Sequence, residues 1–244
     1  MRKKRLIRNT YAALINQIVT FVCGLILPRQ ILVYFGSETN GLVTSITQFL
    51  GFVTLMDMGI GAVVQSNLYK PLAENNREAI SRIITSASRF FKKITAVLLI
   101  YTVGLMIFYP LFIDNSLGHM STVLLIVAIA VSTMAQYLFG ITNQMILSAD
   151  QKSYVFLFPA SIVTVLNLLV SVILFRRGVS LTAVKFCSAG IAMIKPVAVA
   201  IYVNKHYAVN RKMDLKEEPI KQKWNALAQH VATFIVDKTD IVVL

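Results

Sequence analysis

The chain alternates long apolar runs with short polar ones. Six runs, 11–35, 42–68, 94–113, 120–148, 155–175 and 183–203, reach the roughly 20 residues that a helix needs to cross a bilayer. A seventh begins near Asn225 and is still apolar at Leu244. The pattern therefore predicts a basic N-terminus over 1–10, a six-span bundle over 11–203, a basic loop over 204–224 and the start of a seventh span over 225–244. On this reading the chain is a fragment and a second bundle is missing. Residues 77–93 place Ile80, Ile83, Ile84, Ala87 and Phe90 at helical spacing, with Arg82, Arg89 and Lys93 interleaved. Asn76 can cap that segment and Glu78 falls in its first turn. An amphipathic helical elbow leading into span three is expected there.

Composition decides the solvent. Of 244 residues 56% are hydrophobic and 14% charged, where a soluble domain carries about 25% charged residues. No water-soluble core hides that much apolar surface, so the chain is expected to be an integral, all-α polytopic membrane protein. The opening MRKKRLIRN has the charge of a signal-peptide n-region, but the 25-residue run behind it exceeds the roughly 7–15 residues of a signal core. Val22 before Cys23 is not the small residue that a lipoprotein cleavage site requires. Cys23 and Cys187 form no pair motif.

The net charge of +13 would point to nucleic acid in a soluble protein, but here it follows the loops, and no nucleic-acid partner is expected. Five cations lie in the N-terminus, six in the loop after span two, Lys152 after span four and six more after span six. The alternate loops hold only Arg176 and Arg177. Loops rich in Lys and Arg face the cytoplasm, so the N-terminus is read as cytoplasmic.

Four cations remain inside spans: Arg29, Lys185, Lys195 and Lys238, with Asp57, Asp237 and Asp240. An ionisable group in hydrocarbon costs about 2.5–3.5 kcal/mol on the lenient insertion scale, and it usually faces a bundle interior or a wet cavity. Arg29 lies some 27 Å along span one from Tyr11, in the outer part of the bilayer. Asp57 lies about 23 Å from Leu42 in the returning span, in the inner part. Lys185 enters at the outer end of span six, and Lys195 is about 15 Å deeper, just before Pro196. Arg29 and Lys185 therefore share the outer half with no acid at their level, and either can snorkel to the interface. Snorkelling is hard for Lys195, for which a wet cavity is the better reading. Ser188, Ala189 and Ala192 read as a packing face. Asp57, ahead of Gly59 and Gly61, stays open between a helix-end carboxylate and a coupling group, as do Asp237 and Asp240.

Enzyme signatures are absent: the sequence has no GxxxxGK[ST], GxSxG, HExxH or CxxC, and His119, His206 and His230 are scattered. No enzymatic activity and no cofactor are expected.

The order of features, however, is distinctive: a basic N-terminus, a span carrying Pro28-Arg29, then Gly36-Ser-Glu-Thr-Asn-Gly41-Leu42, then Leu55-Met-Asp57-Met-Gly59-Ile-Gly61, and later Thr239-Asp240-Ile-Val-Val. It resembles the polysaccharide transporter family, the O-antigen-type flippases of the exporter superfamily that also holds multidrug antiporters and the lipid II flippase. The resemblance implies two six-helix bundles forming a V, of which this chain is the N-terminal one, ending inside the seventh span. It further implies that glycines 36 and 41 shape an outer turn and that Gly59 and Gly61 bend span two. The substrate it implies is an undecaprenyl-pyrophosphate-linked oligosaccharide, moved across the bacterial cytoplasmic membrane by alternating access with protons or sodium as the counter-ion. A lumen lined by Arg29, Lys195 and Lys185 offsets the cost of bringing a pyrophosphate into low dielectric, and Arg suits its bidentate contact. The rivals are a multidrug antiporter and a polytopic glycan polymerase or transferase. Cationic drugs favour an acidic lumen and a polymerase needs a large outer loop, neither of which the chain offers.

The charge asymmetry makes the orientation testable. In a chain otherwise free of cysteine, Asn75→Cys and Asn210→Cys should resist an impermeant thiol reagent in intact cells, whereas Ser116→Cys should label. Labelling of Asn75→Cys in sealed cells would reverse the orientation.

Overall fold

In hydrocarbon each backbone N–H and C=O must find its partner inside its own segment, which leaves the helix as the solution for a single apolar run. The computed structural model describes residues 2–51, 55–112, 117–211, Met213 and Ile220, without the side chains of Arg2 and residues 55–59. Among these residues it holds only helices, loops and turns: α1 (Arg2–Gly51), α2 (Leu55–Ala73), α3 (Arg77–Phe112), α4 (His119–Ala135), α5 (Ile141–Ala149), α6 (Tyr154–Arg176) and α7 (Leu181–Tyr207). A π-helical turn, Gln136–Gly140, joins α4 to α5 without a break. Five of the resulting helices are long and apolar enough to cross a membrane: Lys3–Gly51, Arg77–Phe112, His119–Ala149, Tyr154–Arg176 and Leu181–Tyr207. The chain is a multi-pass membrane protein.

Helices α1 and α6 run parallel in one register. Arg5 pairs with Asp150, Asn9 accepts from the Tyr154 N–H at 3.0 Å, and Ser161 donates to Asn16 at 3.3 Å, each pair 145 residues apart. At the far end Tyr34 and Phe35 close the pair against the Phe175 ring, 6.0 and 5.2 Å between centroids. From there the packing passes from α6 to α7, α7 to α4, α4 to α3, and α3 to α2, which also rests on α5. The turn between α6 and α7 takes Gly178 at φ 72°, and Ser180 caps α7.

Sequence expectation and structure part in three places. The second expected span, 42–68, is divided between the end of α1 and α2, and residues 52–54 lie outside the described residues. The expected turn over 36–41 contracts to Gly36, the one non-helical residue inside α1, while Gly41 is helical. Helix α2 contains both Gly59 and Gly61. The expected elbow at 77–93 is the first half of one continuous helix, α3, 36 residues long. Asn76 does cap it, accepting from the Ala79 N–H at 3.0 Å, and Glu78 pairs with Arg82 at 2.9 Å. Its apolar face is covered by the protein: Ile80, Ile84, Ala87, Phe90 and Phe91 are all buried, which removes the reason for a bend.

Gly36 sits at φ 86°, ψ 171°, a region that essentially only glycine occupies, at a cost of about 1–3 kcal/mol for other residues. Since a Cβ there meets no atom within 4 Å, the cost of Gly36→Ala is backbone strain alone. Thermal unfolding in detergent should show Gly36→Ala destabilised by about that amount. Gly41→Ala, in helical geometry and open space, should gain up to about 1 kcal/mol. Shifts of the same sign for both variants would refute the assignment of the break.

Candidate functional site

The hairpin of α6 and α7 sets the depth of Lys195. Ser171 and Ser188 face each other with hydroxyl oxygens 3.5 Å apart. Seven residues further along each helix stand Thr164 and Lys195, and both line one cleft of about 390 Å³. Thr164 lies near the middle of α6, so the cleft sits halfway along the helices, where an ammonium group is hardest to hydrate from either end.

The cleft is polar for its depth. Ser132, Thr133, Gln136, Tyr137 and Thr164 line it with Lys195, Ala160, Val163 and Ala192. Ser132 and Thr133 donate to the Ile129 carbonyl, at 2.8 and 3.2 Å, and Thr164 donates to the Ala160 carbonyl at 2.9 Å. Their hydrogens being spent on their own helices, these hydroxyls present lone pairs, which is what an ammonium donor needs. Pro196 removes the helical donor to the Ala192 carbonyl, and Ala192 is on the cleft wall. Among the described residues the lining holds one cation and no carboxylate.

A close helix approach creates this geometry. A Cβ on Gly140 would lie 2.9 Å from Gln136 Oε1 and 3.3 Å from Pro196 Cβ. Glycine at the end of the π turn lets α7 approach at its proline. The π turn, a feature often found at functional sites, puts Gln136 and Tyr137 on the cleft wall.

The other expected site residues lie elsewhere. Arg29 is exposed on α1; at the 145-residue offset that α1 keeps on α6 it stands level with Leu174, ten residues or about 15 Å along α6 from Thr164. Its surroundings on α1 are apolar and open, with Leu25, Leu32 and Val33 all exposed. Lys185 is half-buried on α7, three residues from Ser188 toward the α6–α7 turn. Arg29 and Lys185 thus lie at a similar level, but neither lines the Lys195 cleft. Asp57 falls within α2 with its side chain outside the described residues, and Asp237 and Asp240 lie outside them altogether.

The end that carries the N-terminus holds a polar knot that sequence reading missed. Asp150 receives Arg5 at 3.2 Å, Lys152 at 2.7 Å and the Tyr207 hydroxyl at 2.5 Å, and so ties together α1, the α5–α6 loop and α7. The signal was there: Asp150 is the one acid between Asp114 and Asp214, beside Lys152. At the same end the segment after α7 docks on α3. Thr85 donates to the Asn210 carbonyl at 3.2 Å, Ser81 accepts from the Asn210 N–H at 3.1 Å, and Arg89 donates to the Met213 carbonyl at 3.2 Å. Arg211 reaches in to the buried Asn143, and burial lowers its pKa from the ordinary arginine value. These contacts bring the N-terminus, the 150–153 loop and the 208–213 segment to one end of the bundle.

Comparison of the chain with protein-family models, with curated proteins and with solved structures finds no match.

Proposed function

We propose that the protein exports an undecaprenyl-pyrophosphate-linked oligosaccharide, and that its helices form the first of two six-helix bundles in a V-shaped flippase of the polysaccharide transporter type. The observation that carries this reading is the Lys195 cleft: a cation halfway along the helices, in a polar pocket with no acid on its wall among the described residues. An unpaired ammonium at that depth is costly. Water and an anionic ligand passing through the site relieve that cost, and a pyrophosphate does so best because it accepts several charge-assisted hydrogen bonds. Cationic drugs would be repelled there, which disfavours the multidrug antiporter. The cations at the N-terminal end support a cytoplasmic position for that end by the positive-inside rule. Arg29, exposed about 15 Å outward from the level of Lys195, fits a second contact on the way to the outer leaflet, facing the second bundle. Lys185 stands at the same outer level.

The test is export in a host lacking its own flippase, with surface glycan and protein abundance measured together in the complete transporter. Lys195→Met should cut export about tenfold or more, the equivalent of one lost charge-assisted hydrogen bond, while Lys195→Arg keeps much of it. Arg29→Ala should abolish export, and Arg29→Lys should restore only part, because the planar fork is lost. Full export by both Lys195→Met and Arg29→Ala at normal abundance would overturn the proposal.

A further inference from the structure

On the continuous helix from α4 to α5, Ser132, Gln136, Gly140, Gln144 and Ser148 recur at intervals of four. In a plain α-helix that spacing drifts about 40° per step and carries the residues around the axis. The π turn at Gln136–Gly140 winds less per residue, since its bonds run from i to i+5, and this takes back much of the drift. The polar groups are thereby held on one stripe. Ser132 and Gln136 line the Lys195 cleft, and Gln144 and Ser148 line a second cleft of about 420 Å³. Gln144 lies eight residues, or about 12 Å, from Gln136 toward the Asp150 end, and Gly140 leaves the stretch between them without a side chain.

The second cleft has a different chemistry from the first. Gln65, Gln144 and Ser148 supply its polar atoms, Phe156 supplies a ring, and among the described residues no charged one lines it. Gln144 Nε2 is buried without a hydrogen-bond partner, a state that costs free energy until an acceptor arrives. Its terminal amide turns about a soft torsion, so the N–H can swing to the cleft. An acyl chain would call for no amides. Paired amides offer donors and acceptors side by side, which matches neighbouring sugar hydroxyls, and a ring face matches the C–H face of a pyranose.

We infer that this second cleft binds a neutral sugar residue while Lys195 holds the pyrophosphate, so that the stripe is a track for the glycan of the substrate. The inference rests on the export reading and assigns that substrate its sugar subsite. Affinities of the complete protein in lipid nanodiscs test it, with bare undecaprenyl pyrophosphate and the same lipid carrying a neutral disaccharide as the two probes. The wild type should prefer the sugar-bearing lipid. Gln144→Met and Gln65→Met should each reduce that preference about three- to tenfold and leave the affinity for bare lipid unchanged, which also shows that the variants fold. If Gln144→Met loses both affinities, Gln65→Met decides in the same way. An unchanged preference in the variants overturns the sugar track and leaves export standing. Failure of the wild type to bind either lipid overturns the export reading and the track with it.

Discussion

The parallel pairing of α1 with α6 supports every statement of depth in this molecule. Apolar contact drives helix association weakly in lipid, because the acyl chains are as apolar as leucine, so packing and polar pairs must hold the register. Here Arg5 with Asp150, Asn9 with Tyr154 and Asn16 with Ser161 all keep one offset of 145 residues. Interhelical hydrogen bonds of this kind average only about 0.6 kcal/mol each, but a one-residue slip breaks all three together. Asp150 adds Lys152 and Tyr207, so the same carboxylate that locks α1 to the α6 entrance also locks α7. The α6–α7 hairpin then transfers that register to Lys195 through Ser171 and Ser188.

Position turns into chemistry at one crossing. Gly140 and Pro196 approach closely because one has no side chain and the other no helical donor at its nitrogen. Next to that contact the π turn presents Gln136 and Tyr137, and α7 presents Lys195. Two backbone irregularities at one depth are unusual in a membrane, where irregular backbone is tolerated only inside protein or along a wet cavity.

Much of the helix plan was legible because hydrocarbon imposes a length. An apolar run of about 20 residues can hardly be anything but a helix, and Asn76 announced the start of α3 by its capping chemistry. The break in α1 was located only to within six residues, since Gly36 and Gly41 look alike in sequence and only the backbone distinguishes them. The π turn had no signal at all: QYLFG is an ordinary apolar stretch, and its unusual hydrogen bonds depend on α7 packing against it. For the same reason the sequence placed Lys195 beside Pro196 and in a cavity without naming Gln136, Tyr137 or Thr164, which lie 31 to 59 residues away in the chain. Which face Arg29, Lys185 and Lys195 each occupy depends on contacts between helices, which charge and spacing do not carry.

Solvent exposure at the Lys195 position tests the central claim most directly. A nitroxide at Lys195→Cys, in a background without Cys23 and Cys187, can be compared with labels at Ile194→Cys and Val197→Cys. Those neighbours point outward on the same helix, at 48% and 49% exposure. A water-soluble nickel relaxant should reach the label at 195 while the labels at 194 and 197 see oxygen and little nickel, as lipid-facing sites do. An oxygen-rich, nickel-poor label at 195, indistinguishable from its neighbours, would contradict the claim.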